Sequence, residues 1–125
     1  HSENYLKITW QELYEMGSNS LFTIGGHSLY HDILSLLPFE KMKKNIDLSI
    51  QLLEYNLNQP IAHYSYPEGQ PNHYNADVIH ILKKKKIKCC PSAISGINKI
   101  SEDLFHMKRI MVGFNGAEFP YNQFQ

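Results

Sequence analysis

Two stretches of the chain gather residue types that could do chemistry. The first is Gly25-Gly26-His27-Ser28-Leu29-Tyr30-His31-Asp32, where two imidazoles stand four residues apart behind a pair of glycines. On one helical turn that spacing aims both rings the same way, as a pair of metal ligands requires. Two unrelated surface histidines would give the same pattern, because H-x-x-x-H alone is a weak signal. Position favours ligation: the pair directly follows an expected strand end, where α/β folds receive their ligands. The second stretch is His63-Tyr64-Ser65-Tyr66-Pro67-Glu68-Gly69-Gln70-Pro71-Asn72-His73-Tyr74-Asn75. Its density of Tyr and His suits a polar, ring-shaped ligand such as a sugar. The same residues also describe an ordinary strand-to-helix connection, with Pro and Gly fixing a turn and Asn75 capping the next helix. Glu68 would serve as acid or base if buried; exposed, it is a solvated carboxylate.

The elements that must hold these stretches can be read from periodicity. Thr9 with Glu12 predicts a capping box, followed by a short helix with Trp10, Leu13 and Tyr14 on its apolar face and ended by Gly17. Leu21 to Ile24 reads as a short buried strand closed by Gly25 and Gly26. Pro38 stands where a first-turn proline belongs. Phe39, Met42, Ile46, Ile50, Leu53 and Leu57 follow at steps of three and four, which predicts an amphipathic helix of about five turns. Asn58-Gln59-Pro60 stops it. A strand over 61–66, a rigid loop with Pro67, Gly69 and Pro71, and a helix over 75–86 with Val78, Ile79 and Leu82 apolar come next. A strand over 87–90, a polar loop over 95–103 and a last strand over 109–112 complete the pattern. Strands alternating with helices imply βα units and a parallel sheet or barrel.

With 125 residues the chain has room for one domain, and 42% apolar against 19% charged residues is a globular mixture. Twelve Lys plus Arg balance twelve Asp plus Glu, which argues against a nucleic-acid partner held by phosphate neutralisation. The basic run Lys83 to Lys86 falls in the last turn of an expected helix, where cations favour the macrodipole, and no interleaved aromatic residues support base stacking. The apolar runs are too short for a membrane-spanning helix. The opening HSENYLKITW lacks a basic region followed by an apolar stretch, so no signal peptide is visible, and the first residue, His, suggests a piece of a longer protein. Cys89 and Cys90 are neighbours and the only cysteines, too few for a disulfide framework. They read as buried strand residues in a reducing compartment, which makes a cytoplasmic location the expectation.

Assembled in order, these residues resemble a known family. The run from Leu6 to His31 is similar to the second motif of the polysaccharide deacetylase (NodB-homology) family, in which a helix and a short strand with a glycine-rich turn precede H-S/T-x-x-H. That motif stands here as His27-Ser28-Leu29-Tyr30-His31. The stretch from Ile61 to Gly69 looks like the third motif, carried by Tyr66-Pro67-Glu68-Gly69. The helix over 75–86, the strand over 87–90 and Lys108-Arg109-Ile110-Met111-Val112 resemble the closing segment. The resemblance covers nearly the whole chain.

It implies an α/β fold, part of an irregular (β/α) barrel of the NodB-homology type, with residues 1–125 as a single domain forming the C-terminal part of a deacetylase domain. It implies a hydrolase that removes acetyl groups from a bacterial surface polysaccharide or glycan precursor with a divalent metal, commonly zinc. His27 and His31 would be metal ligands, the backbone N–H of Glu68 an oxyanion donor, and Tyr66, Pro67, Gly69 and His73 substrate contacts. Departures from the family pattern qualify this. The family's Asp-Asp pair, metal ligand and general base, lies on its first strand, and no Asp-Asp pair exists here. Asp32, Asp47, Asp77 and Asp103 all lie after the second motif's first histidine. Ser65 stands where many members carry Arg, and Glu68 where many carry Tyr. No Leu-x-Leu-His stretch supplies the family's acid histidine, and His106 sits in a different setting. The alternative is a non-catalytic, degenerate domain that only binds carbohydrate or a partner. A barrel open at its N-terminal side would expose a strand edge and apolar faces, which predicts lower stability or pairing with another chain, a homo-oligomer being one form.

Overall fold

The structure, a computed structural model, describes residues 7–111. Helix α1 spans Trp10–Gly17 and starts as the sequence predicts. The Thr9 hydroxyl accepts from the Glu12 N–H at 3.2 Å, while the Glu12 carboxylate accepts from the Thr9 N–H at 2.8 Å. The long amphipathic pattern forms helix α2, Phe39–Leu57, with Pro38 at the N-cap rather than inside the first turn. Asn58 ends α2 in the left-handed conformation at φ 51°. Between α1 and α2 lies a single 3-10 turn, Leu34–Leu36, whose Leu34 is buried.

Helix α3 spans Ala76–Lys84, with the Asn75 side chain accepting from the Val78 N–H at 3.0 Å. It ends before the expected residue 86, for a local reason. Lys86 adopts φ 64°, its N–H donates to Lys83 C=O, and the Ile87 N–H reaches back to Leu82 C=O at 3.1 Å. That pair of bonds is the Schellman closure, here built on Lys instead of Gly. The basic run is therefore a helix end. Lys85 Nζ lies 2.8 Å from Asp47 Oδ1 on α2, and Lys83 Nζ sits 4.9 Å from the centre of the Phe105 ring.

The expected strands are reduced to isolated bridges among the described residues, all parallel: Gly26 with Tyr64, His63 with Cys89, and Ser95 with Arg109. The first two, with α2 and α3 as crossovers, place segments 24–26, 61–66 and 87–90 side by side as βα units. The last expected strand contributes Arg109 to its bridge; Val112 lies outside the described residues. The strand expected at Leu21 to Ile24 does not form. Asn19 instead holds a turn there, its side chain accepting from the Leu21 N–H and its carbonyl from the Phe22 N–H, both at 3.0 Å. Leu21 is 86% exposed and Phe22 48%, because among the described residues no neighbouring segment pairs with them or covers them.

One core joins the layers. Met42, Ile46, Ile50 and Leu57 of α2 meet Val78, Ile81 and Leu82 of α3, with Ile61, Tyr64, Tyr66, Ile87 and Cys90 in the same cluster. Burying each large apolar side chain contributes about 1.5–3 kcal/mol, so this cluster supplies most of the drive to fold. Phe39, first in the apolar series, is exposed rather than part of the core. Cys89 is partly buried and Cys90 wholly so, and both are free thiols. Burial pushes the Cys90 thiol and the Tyr66 hydroxyl well above their ordinary pKa values.

Candidate functional site

The candidate site is built where segment 24–26 ends. Gly26 bridges Tyr64 with no room to spare: a Cβ there would overlap Tyr64 Cε2 and lie 2.5 Å from Cδ2. The chain then turns through His27 to Asp32, and the turn is not helical. Ser28 and His31 both take left-handed backbone conformations, at φ 60° and 61°. The expectation of one helical turn for the His27–His31 pair is thus corrected, although the rings do converge. Their centroids lie 4.9 Å apart in an edge-to-face arrangement at 66°. Two left-handed residues within five bring the second imidazole back onto the first, which the helix was expected to do.

The second stretch meets the first across the Gly26–Tyr64 bridge. His27 Nδ1 lies 3.0 Å from the Ser65 carbonyl and 2.8 Å from its hydroxyl. An Nδ1–H given to that carbonyl leaves the Nε2 lone pair of His27 for a cation, the usual arrangement of a metal-binding imidazole. Ser65, at the position where many family members carry Arg, thus orients an imidazole. Glu68 Oε1 lies 4.0 Å from His31 Nδ1, an exposed contact that becomes an ion pair only with the imidazole protonated. The Glu68 backbone is left-handed at φ 60°, and among the described residues its N–H donates to no acceptor. Gly69 follows at φ 65° and is needed there, because a Cβ would lie 2.6 Å from the Ala93 N.

The remaining residues expected to touch substrate divide by burial. Tyr66 is wholly buried: its hydroxyl donates to the Phe105 carbonyl at 3.0 Å and its ring stacks on Tyr74 at 4.0 Å. Pro67 is also fully buried, and Gly69 is buried beside Ala93. These three fix the shape of the loop from beneath. His73 is partly exposed, and its Nδ1 accepts from the Gln70 N–H at 3.3 Å within the same loop. His106 contacts the Tyr74 hydroxyl at 3.3 Å and Asp103 Oδ2 at 3.8 Å, in a separate cluster.

Residues that the sequence reading passed over hold the histidine loop in place. Asn45, buried on α2, accepts from the Leu29 N–H at 2.9 Å and donates to Asp32 Oδ2 at 2.7 Å. The Tyr64 hydroxyl accepts from the Ser28 N–H at 2.7 Å and lies 2.9 Å from Ser49 Oγ. Ser28 Oγ accepts from the Asp32 N–H at 3.0 Å. The available signal was polar residues at 45 and 49 interrupting the apolar stripe of α2. To a metal, His27 and His31 would offer two imidazoles. Among the described residues no third His, Cys, Asp or Glu joins them, so one protein ligand of the three usual for catalytic zinc is missing.

This is an α/β chain that presents paired histidines at the end of a parallel segment, next to a Tyr-Pro-x-Gly loop. The family model described as polysaccharide deacetylase matches residues 1–90, and the chain belongs to that family. No curated protein matches the sequence. Among solved structures it is similar to the deacetylase PplD of Streptococcus pyogenes, determined in complex with acetate, at 21% identity and a TM-score of 0.76 over 88% of this chain and 47% of that one. A de-N-acetylase from Aggregatibacter actinomycetemcomitans matches at 16% identity and TM-score 0.75, over 92% of this chain and 52% of that one. The BpsB deacetylase domain from Bordetella bronchiseptica matches at 17% and 0.72, over 82% and 48%. At these identities the likeness shows the fold. The chain spans about half the length of these three structures.

Proposed function

We propose that this chain is the C-terminal part of a metal-dependent deacetylase domain acting on an acetylated polysaccharide or glycan precursor, with the (β/α) barrel closed by strands of the longer protein. The observation that carries this reading is the convergence of His27 and His31 next to Glu68, whose backbone N–H has no acceptor among the described residues and could donate to an oxyanion. His27 and His31 would hold a divalent cation, zinc by preference for imidazole, with a carboxylate from outside the described residues as third ligand. The cation would supply Lewis-acid activation of water and positive charge near a developing oxyanion. For their part, Ser65 would orient His27, and the buried Tyr66, Pro67 and Gly69 would hold the Glu68 amide toward the site, donating a hydrogen bond in the transition state.

The test is amine release from an acetylated chitooligosaccharide by the longer protein, with and without His27→Ala. Activity that depends on His27, with an Asp-Asp pair encoded upstream of His1, supports the reading. An upstream frame with no such pair would sink the enzyme and leave a carbohydrate- or partner-binding domain.

A further inference from the structure

The core-facing stripe of α2 carries two buried polar side chains, Asn45 and Ser49, where apolar residues would satisfy packing. Both are turned to the histidine loop. Asn45 bridges Leu29 N–H and the Asp32 carboxylate, gripping the loop on either side of Tyr30 and His31. The Ser49 hydroxyl donates to the Ile46 carbonyl at 2.9 Å, so its oxygen receives the Tyr64 O–H, and the Tyr64 oxygen in turn accepts from Ser28 N–H. This relay has one direction throughout, from Ser28 N–H through Tyr64 and Ser49 to a helix carbonyl. The loop needs such support. Ser28 and His31 both hold left-handed conformations that L side chains adopt at a cost, and such strain persists only where the surroundings over-determine it.

We infer that Asn45, with Ser49 and Tyr64, is a positioning residue for the His27–His31 pair: α2, through Asn45 directly and through Ser49 by way of Tyr64 of segment 61–66, sets the separation of the two imidazoles. The inference deepens the metal-site reading and rests on it for its functional meaning. A pair held this way has its geometry set by a helix embedded in the core, the kind of support a precise ligand set needs.

The experiment uses the 125-residue chain and two readouts: amide hydrogen exchange at Ser28 and Leu29 without metal, and calorimetric titration with zinc chloride. Asn45→Leu keeps the volume and removes both bonds, Asn45→Asp keeps only the acceptor for Leu29, and Tyr64→Phe removes the bond to Ser28. Asn45→Leu is expected to speed Leu29 exchange at least ~10-fold and to weaken zinc binding by ~10–100-fold, the range for lost outer-shell support, with the helices still formed by circular dichroism. Asn45→Asp should keep the Leu29 amide protected yet still weaken zinc, because it sets a carboxylate against Asp32. It also serves as the test should Asn45→Leu fail to fold. Wild-type exchange and zinc affinity in both Asn45→Leu and Tyr64→Phe overturn the inference. Should the wild-type chain bind no zinc, the two imidazoles do not suffice without the third ligand, and the exchange arm alone decides whether Asn45 positions the loop.

Discussion

Gly26→Ala isolates the contact on which the site is founded. The new methyl group would overlap the Tyr64 ring, which is 2% exposed and cannot swing into solvent. Overpacking of this kind costs about 1–3 kcal/mol when the neighbour yields by strain. If the ring moves away, its hydroxyl leaves both Ser49 and the Ser28 N–H, two buried hydrogen bonds worth about 1 kcal/mol each. Both routes centre on about 2 kcal/mol, a loss of roughly 8 °C in melting midpoint for a domain of this size. Urea unfolding followed by circular dichroism measures it. The double variant Gly26→Ala/Tyr64→Ala removes the overlap, so it should be less destabilised than the two single variants summed, by about 1 kcal/mol or more. A Gly26→Ala protein within about 0.5 kcal/mol of wild type, the range of an innocuous surface change, refutes the packing described here.

Three further outcomes are expected. His27→Ala and His31→Ala should each remove most zinc affinity in a calorimetric titration while His80→Ala, on α3, leaves it unchanged. Burial raises the pKa of Cys90, Tyr64 and Tyr66, so the folded chain retains protons that the unfolded chain gives up at alkaline pH. Their neutral forms stabilise fully below the unfolded values, about 8.5 for a thiol and about 10 for a tyrosine, and the urea midpoint should fall as pH rises beyond these; a flat midpoint from pH 8 to 11 contradicts it. Exposed Leu21 and Phe22, near the partly exposed Trp10 and Tyr14 in sequence, should make the isolated chain self-associate, and light scattering that shows a monomer at every concentration tested counts against this.

Helices were legible in the sequence because their signals are local. Thr9 and Glu12, the six-residue apolar series of α2 and the Asn75 cap each specify an element within a few turns of chain. Segments 61–66 and 87–90 were legible as extended and parallel, since helices separate them, but not as single bridges. How many rungs a ladder has depends on partners distant in sequence, as the exposed turn at Leu21 shows. At the site, the H-x-x-x-H spacing identified the two histidines that converge but suggested a helical turn. The left-handed backbone at Ser28 carries no mark in residue type, and His31 carries only a faint one, since histidine tolerates this region more than most side chains. Asn45, Ser49 and Tyr64 stayed hidden for the opposite reason: their identities are ordinary, and only the approach of α2 to the loop gives them work.

The parallel bridges also have a kinetic meaning. A parallel pair has no hairpin to start from, so the contact between His27 and Ser65, 38 residues apart, forms only when the intervening chain has closed. Contacts at such separation slow folding, whereas the helices need only their own turns. The paired imidazoles, which rest on that bridge, would then be among the last features to assemble. A cation would meet a chain that is already helical, and its binding would report the closing step of folding, not the first.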